Sequence, residues 1–177
     1  MGPPDLIQHR NRNVIAVSGV KNSGKTTVLS GIIPVLRELG LSVAVIKHDG
    51  HDFEPDVPGT DSFKLRQAGA QAVAVFSPRR SMVTIEREGT TLEEMIGQVS
   101  DMNLILVEGA KHSPYPKIEI VRAAVSDQSV CEAATLLALA TDTDLKIPGV
   151  PRVTLDDYQA LAGVIAKYYM RHATSAT

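Results

Sequence analysis

One short segment limits the fold more than any other. The apolar run NVIAVS (13–18) leads straight into GVKNSGKTT (19–27), after which Val28, Leu29, Ile32, Ile33, Leu36 and Leu39 recur at three- and four-residue spacing. That order reads as a buried strand, a glycine-rich loop and an amphipathic helix. Gly40 is a natural stop for the helix. Pro34 is expected to kink it, because proline has no N–H to donate to the carbonyl of Ser30. Gly19-x-x-x-x-Gly24-Lys25-Thr26, which encloses Asn22 and Ser23, satisfies the Walker A pattern without exception. Backbone N–H groups must turn inward around phosphate oxygens there, so glycine is needed where a Cβ would clash or φ is positive. The helix that follows points its positive dipole end at the same phosphates. Lys25 supplies a mobile charge for the β- and γ-phosphates, and the Thr26 hydroxyl ligates Mg²⁺. A chance glycine-rich turn would have no reason to sit between such a strand and such a helix.

The remaining chain alternates in the same manner. LSVAVIKH (41–48), AQAVAVFS (70–77), NLILVEG (103–109) and ATLLALAT (134–141) are apolar on both faces, as buried parallel strands are. Helices are expected over 59–69, from Thr91 with Glu94 as a capping box, and from about Thr154 with Asp157 in the same arrangement. MVTIERE (82–88), after the turn SPRRS, and KIEIVR (117–122), after SPYP, read as antiparallel strands. The expected fold is therefore α/β of P-loop NTPase type: a mainly parallel sheet with helices on both faces and one or two antiparallel strands. Residues 1–177 are expected to form a single nucleotide-binding domain, with a polar arm at 1–12 and a frayed end at 173–177.

Composition removes several functional classes. A formal net charge of −2 argues against a broad nucleic-acid-binding face. The single cysteine, Cys131, excludes an internal disulfide and an all-cysteine zinc site, and it fits a reducing compartment. The opening MGPPDLIQHRNR has no apolar signal segment, and TLLALA (135–140) is far too short to span a bilayer. A cytoplasmic protein without membrane or nucleic-acid partners is expected.

Three further clusters bear on chemistry. Glu108 ends an apolar strand and suits a Walker B role, holding the Mg²⁺ shell or polarising a water; a strand-end glutamate facing solvent is the plainer alternative. KHDGHDFEPDVPGTDS (47–62) gathers His48, His51 and several acids beyond a strand's C-terminal end, where α/β folds bind ligands. It reads as a nucleotide- or substrate-contacting loop, as a solvated loop, or as a metal site, although its spacing does not match usual zinc patterns. Thr141-Asp142-Thr143-Asp144 stands where guanine-reading N/T-K-x-D segments occur. The terminal Asp144 keeps the spacing, with Asp142 in place of the lysine, and reads either as a guanine contact or as a helix-capping or turn aspartate.

GVKNSGKTT, IKHDGHDF, DVPGTDSFKLRQAGA and LILVEGAKH followed by PKIEIVR, in this order over about 13–145, resemble the molybdopterin-guanine dinucleotide biosynthesis protein B family (MobB). The resemblance implies a homodimeric P-loop protein that binds GTP and Mg²⁺ and hydrolyses GTP slowly. It would assist a MobA-type molybdenum cofactor guanylyltransferase that attaches GMP to molybdopterin. By the same resemblance Gly24, Lys25, Thr26 and Thr27 hold phosphates and Mg²⁺. Asp61, Ser62, His48 and His51 belong to a ligand-facing loop, and Glu108 and Lys111 fall in an EGxK pattern. Two departures concern the histidines: the chain reads His48-Asp49-Gly50-His51 where a tighter cluster is common, and Leu65 stands where a basic residue or histidine is common. Other classes stay open on the residues alone: an ATP-dependent small-molecule kinase with Arg79, Arg80 or Lys111 clamping the acceptor, a metallochaperone-type GTPase, or a scaffold.

Overall fold

The computed structural model describes residues 13–49 and 52–173. The expected polar arm, His51 and the last four residues of the expected frayed end lie outside the described residues. The chain divides into two compact units, Met1–His48 with Ile96–Thr177, and Asp49–Met95.

In the first unit β1 (Val14–Ser18), β2 (Val43–Lys47), β5 (Leu104–Glu108), β6 (Lys117–Val121), β7 (Leu136–Thr141) and β8 (Arg152–Val153) form a six-stranded sheet in the order β2-β5-β1-β6-β7-β8. Every pairing in it is parallel. Helices α1 (Lys25–Glu38) and α4 (Tyr158–Ala173) pack on one face. There Ile15, Val17, Leu106, Ile118 and Ile120 meet Val28, Leu29, Ile32 and Leu36 of α1 and Leu161 and Ile165 of α4. Helix α1 runs through Pro34 as one element and ends as the sequence predicts. Gly40 takes a φ of 82°, and the N–H groups of Leu39, Gly40 and Leu41 return to Val35, Arg37 and Leu36.

The β6 expectation is corrected. KIEIV pairs in parallel with β1 and β7 at the centre of the sheet and is not antiparallel. Its charged alternation misled because Lys117 and Glu119, which look solvent-facing, are both 0% exposed. The Lys117 ammonium donates to the carbonyls of Ser113 and Tyr115 at 2.7 and 2.8 Å. The Glu119 carboxylate accepts from the Ser129 hydroxyl and from the N–H groups of Val130 and Cys131. Chain segments before and after β6 thus provide what water would have supplied. Burial lowers the Lys117 pKa, partly offset by Cys131, Glu132 and Glu119. Burial, with the neighbouring Glu119, pushes the Cys131 thiol up to about 12 and leaves it inert as a nucleophile.

The start of the last helix is also corrected. Thr154 to Asp157 form a turn, and Asp157 caps α4 by accepting from the Ala160 N–H at 2.9 Å.

The second unit holds a hairpin of β3 (Ala72–Ser77) and β4 (Arg80–Ile85), helix α2 (Asp61–Gln67) and the start of α3 (Leu92–Gln98). The antiparallel expectation for 82–88 holds, with its pairing beginning at Arg80. AQAVAVFS was expected as a buried parallel strand, and here the structure differs: β3 pairs antiparallel with β4 alone. The Ser77–Arg80 turn leaves no room for a crossover, and Phe76 stays 85% exposed. Thr60 caps α2 by accepting from the Phe63 N–H, and Arg66 ties the unit together through ion pairs to Glu54 and Glu86. Thr91 and Glu94 form the expected capping box, each bonding the other's backbone N–H.

Helices α1 and α4 meet at Gly31, where an added Cβ would lie 2.6 Å from the Tyr158 ring. Gly31→Ala should therefore destabilise the protein by about 1–3 kcal/mol, the clash outweighing the helix-propensity gain. Around Gly163 in α4 there is open space. Gly163→Ala should stabilise by roughly 0.5–1 kcal/mol, and urea titration of both variants checks the two signs.

Candidate functional site

The site forms at the C-terminal edge of the parallel strands, where β1 hands the chain to α1. The loop takes the backbone its glycines permit, with φ of 144° at Gly19, 63° at Asn22 and 95° at Gly24. Gly19 has no alternative: a Cβ there would come within 2.4 Å of the Ile120 carbonyl oxygen. Ser23 is fully buried within the loop. Lys25 folds back over the loop and donates to the Val20 carbonyl at 2.7 Å and to that of Gly19 at 3.4 Å. Its Nζ thus occupies the bowl that the loop encloses.

Glu108 ends β5 in register with Val17 on one side and Lys47 on the other. The carboxylate is nearly buried, and the Thr26 hydroxyl lies 3.0 Å from each of its oxygens. A hydroxyl and a carboxylate converging beside a phosphate-type loop are hard oxygen donors. They fit Mg²⁺, which takes few protein ligands and completes its octahedron with water and phosphate. No group of three or more His, Cys, Asp or Glu is assembled for a metal among the described residues.

The strand-to-loop turn after Glu108 is tightly held. Gly109 donates its N–H to Val17, and its carbonyl accepts from the Ser18 hydroxyl. Gly109 and Ala110 both take positive φ, 102° and 52°. Such a conformation costs an alanine about 1 kcal/mol or more and persists only where its surroundings impose it. The strained turn carries Lys111, whose charge bears on Lys25. Burial lowers the Lys25 pKa; Glu108 opposes that shift, while Lys111 and Lys47 add to it.

The structure therefore brings Gly19, Asn22, Ser23, Gly24, Lys25, Thr26, Thr27, Glu108 and Lys111 to one edge of the first unit. His48 is exposed just past β2 in the same unit. Asp61 and Ser62 lie in the first turn of α2, in the second unit, and Asp61 pairs with Lys64 at 3.2 Å. Asp144 is exposed and is absent from the wall of the cavity beside the loop. That cavity, of about 430 Å³, is lined instead by Asp142, with Thr27, Arg122 and Tyr158 among its other walls. Sequence reasoning missed Arg122, and it placed Lys47 only as the lysine of the 47–62 cluster. Lys47 carried a signal, since it ends an apolar strand run as Glu108 does. Arg122 became visible only once β6 was placed beside β1.

Residues 14–142 match the family model described as MobB, molybdopterin guanine dinucleotide synthesis protein B. The chain belongs to the MobB family. It is 32% identical over 165 residues to the molybdopterin-guanine dinucleotide biosynthesis adapter protein of Escherichia coli, covering 89% of this chain and 94% of that one. With the protein of the same description from Haemophilus influenzae it shares 32% identity over 150 residues, covering 79% and 84%. Among solved structures, Bacillus subtilis MobB superposes with a TM-score of 0.72 at 26% identity, over 88% of this chain and 97% of that chain. The mainly parallel P-loop NTPase-type sheet with its small antiparallel hairpin is thus the MobB fold. No helix among the described residues is long and apolar enough to cross a membrane.

The lowered Lys25 pKa has a measurable consequence in this MobB chain. A bound polyphosphate stabilises the ammonium and raises its pKa again, so binding favours the protonated form. Phosphate affinity should therefore fall as pH rises through the free-protein pKa, which lies below 10.5. Titrations between neutral and alkaline pH should show the decline, and Lys25→Arg, always charged, should flatten it.

Proposed function

We propose that this MobB chain is an adapter of molybdenum cofactor biosynthesis that binds GTP with Mg²⁺ through residues 19–27. The observation that carries this reading is the Walker A loop seated between β1 and α1, with Thr26 bonded to Glu108. The described name of its relatives, molybdopterin-guanine dinucleotide biosynthesis adapter protein, supplies the biological setting.

Each residue has a defined task in this reading. Phosphate oxygens displace Lys25 from the Val20 carbonyl and take its charge, while the loop's N–H groups and the start of α1 hold the remaining oxygens. Thr26 and Glu108 would hold Mg²⁺, which supplies charge neutralisation between the phosphates when bound. Lys111, on its strained turn, faces the same charge. Catalysis would then rest on positioning and electrostatics, with no dedicated base for the attacking water beyond Glu108, itself engaged by Thr26. Slow hydrolysis suits an adapter that presents a nucleotide-bound state to a MobA-type guanylyltransferase, in the cytoplasm and as a homodimer.

Equilibrium binding tests this directly. GTP with Mg²⁺ should bind wild type, and Lys25→Ala should weaken it about a hundredfold, since charge-assisted contacts to a polyanion are lost together. Glu108→Gln should chiefly reduce the dependence on Mg²⁺. Wild type without measurable GTP binding, or Lys25→Ala binding as well as wild type, would sink the reading. Turnover of many GTP per second without a partner would remove the adapter part of it.

A further inference from the structure

The cavity beside the loop has room for more than phosphate. Thr27 and Val28 at the start of α1, Arg122 just past β6, Thr141 and Asp142 at the end of β7, and Thr154 to Asp156 with Tyr158 before and at the start of α4 line it. All belong to the first unit. Its apolar walls are Val28, Leu155 and the Tyr158 ring, with one cation, Arg122, and two carboxylates, Asp142 and Asp156, among them. That mixture suits a sugar and a heterocycle better than a free anion.

Arg122 is held with care. Its Nε donates to the Ser23 carbonyl of the phosphate loop at 3.1 Å. Its guanidinium lies against Gly24, where an added Cβ would stand 2.8 Å from Nη2 and 3.5 Å from Cζ. The backbone beyond it is fixed as well. Asp142 accepts from the Ala123 N–H at 2.7 Å, and the Arg122 carbonyl accepts from Val125 and Ser126. None of the ion pairs among the described residues uses Arg122. A guanidinium oriented on one edge and unpaired by carboxylate, in a cavity wall, is ready for a ligand. The position also resolves an oddity of Thr141-Asp142-Thr143-Asp144, which lacks the lysine of N/T-K-x-D segments. The neighbouring strand, β6, delivers a cation to the same cavity.

Resting on the reading of residues 19–27 as a nucleotide's phosphate cradle, we propose that this cavity is the nucleoside subsite and that Arg122 is its cationic wall, packed on the face of the base. A planar, weakly hydrated guanidinium stacks on aromatic faces as an ammonium does not. Its bond to Ser23 orients that plane before the ligand arrives, so little side-chain freedom is lost on binding. Every base has a π-face, so the contact strengthens nucleotide binding in general. Discrimination between purines falls to groups that meet the base edge, among which Asp142 is placed on the cavity wall.

The test compares GTP, ATP and inorganic tripolyphosphate, each with Mg²⁺, on wild type, Arg122→Ala, Arg122→Lys and Lys25→Ala by calorimetry. Arg122→Ala should weaken GTP and ATP about tenfold or more and leave tripolyphosphate unchanged, because only the stacked base loses its partner. Arg122→Lys should recover only part of the loss. If Arg122 merely braces the loop through Ser23, tripolyphosphate will weaken along with the nucleotides, and the proposal fails. Unchanged nucleotide affinity in Arg122→Ala beside a loss in Lys25→Ala also overturns it while leaving the cradle standing. Wild type that binds neither tripolyphosphate nor nucleotide would instead remove the cradle reading on which it rests.

Discussion

Parallel pairing on both sides of β1 is the constraint on which the rest of the structure depends. With β5 on one flank and β6 on the other, the strands' C-terminal ends open at a single edge. The glycine-rich loop, Glu108, Lys111, Arg122 and Asp142 come from distant parts of the chain and reach that edge for no other reason. Were β6 reversed, Arg122 would leave from the opposite edge and the cavity would lose its cation. The fold therefore acts as a device for convergence, and the chemistry is a property of one rim of the sheet.

That arrangement has a cost in the middle of the sheet. Two charged side chains, Lys117 and Glu119, occupy the face of β6 opposite α1 and α4. An unpaired buried charge would be ruinous, so each has its own set of partners: two carbonyls for the ammonium, a hydroxyl and two N–H groups for the carboxylate. The partners lie in the segments that enter and leave β6. Lys117 fastens the chain returning from β5, and Glu119 fastens the chain leading toward β7. Buried polarity here specifies the path of two connections that contain no α-helix, a task an apolar strand could not perform.

The same residues explain what was legible in advance. The Walker loop was fully readable because its information is local: strand, glycines, lysine and helix follow one another without a gap. Glu108 was readable as the polar end of an apolar run, and the capping box at Thr91 and Glu94 as a three-residue spacing. KIEIVR failed because alternation of charge and apolarity normally means one wet face, and here tertiary partners replace the water. The hairpin failed in the opposite sense, since AVAVFS carries the apolar continuity of a buried strand yet stands largely exposed on one partner strand. Arg122 and the cavity were lost with β6, because their meaning lies in which strands are neighbours. Asp61 and Ser62 belong to the second unit, and no local pattern in the sequence marks that division.

The loop's own contacts bear on how such a site would discriminate. Lys25 donates to the Val20 carbonyl, and the Thr26 hydroxyl donates to Glu108. On the proposed reading both contacts would be exchanged for a polyphosphate and its cation, so the gain on binding would be the difference between two sets of charge-assisted bonds. Each loop contact thus contributes less net affinity than its geometry implies. Arg122 differs in this respect. Its bond to Ser23 is on its Nε edge, so binding a base against its face requires no exchange. With the loop's phosphate contacts compensated in this way, a nucleotide would draw proportionately more of its selectivity from the proposed nucleoside subsite. For the nucleotide-holding adapter proposed above, that division would favour a nucleotide over free phosphate.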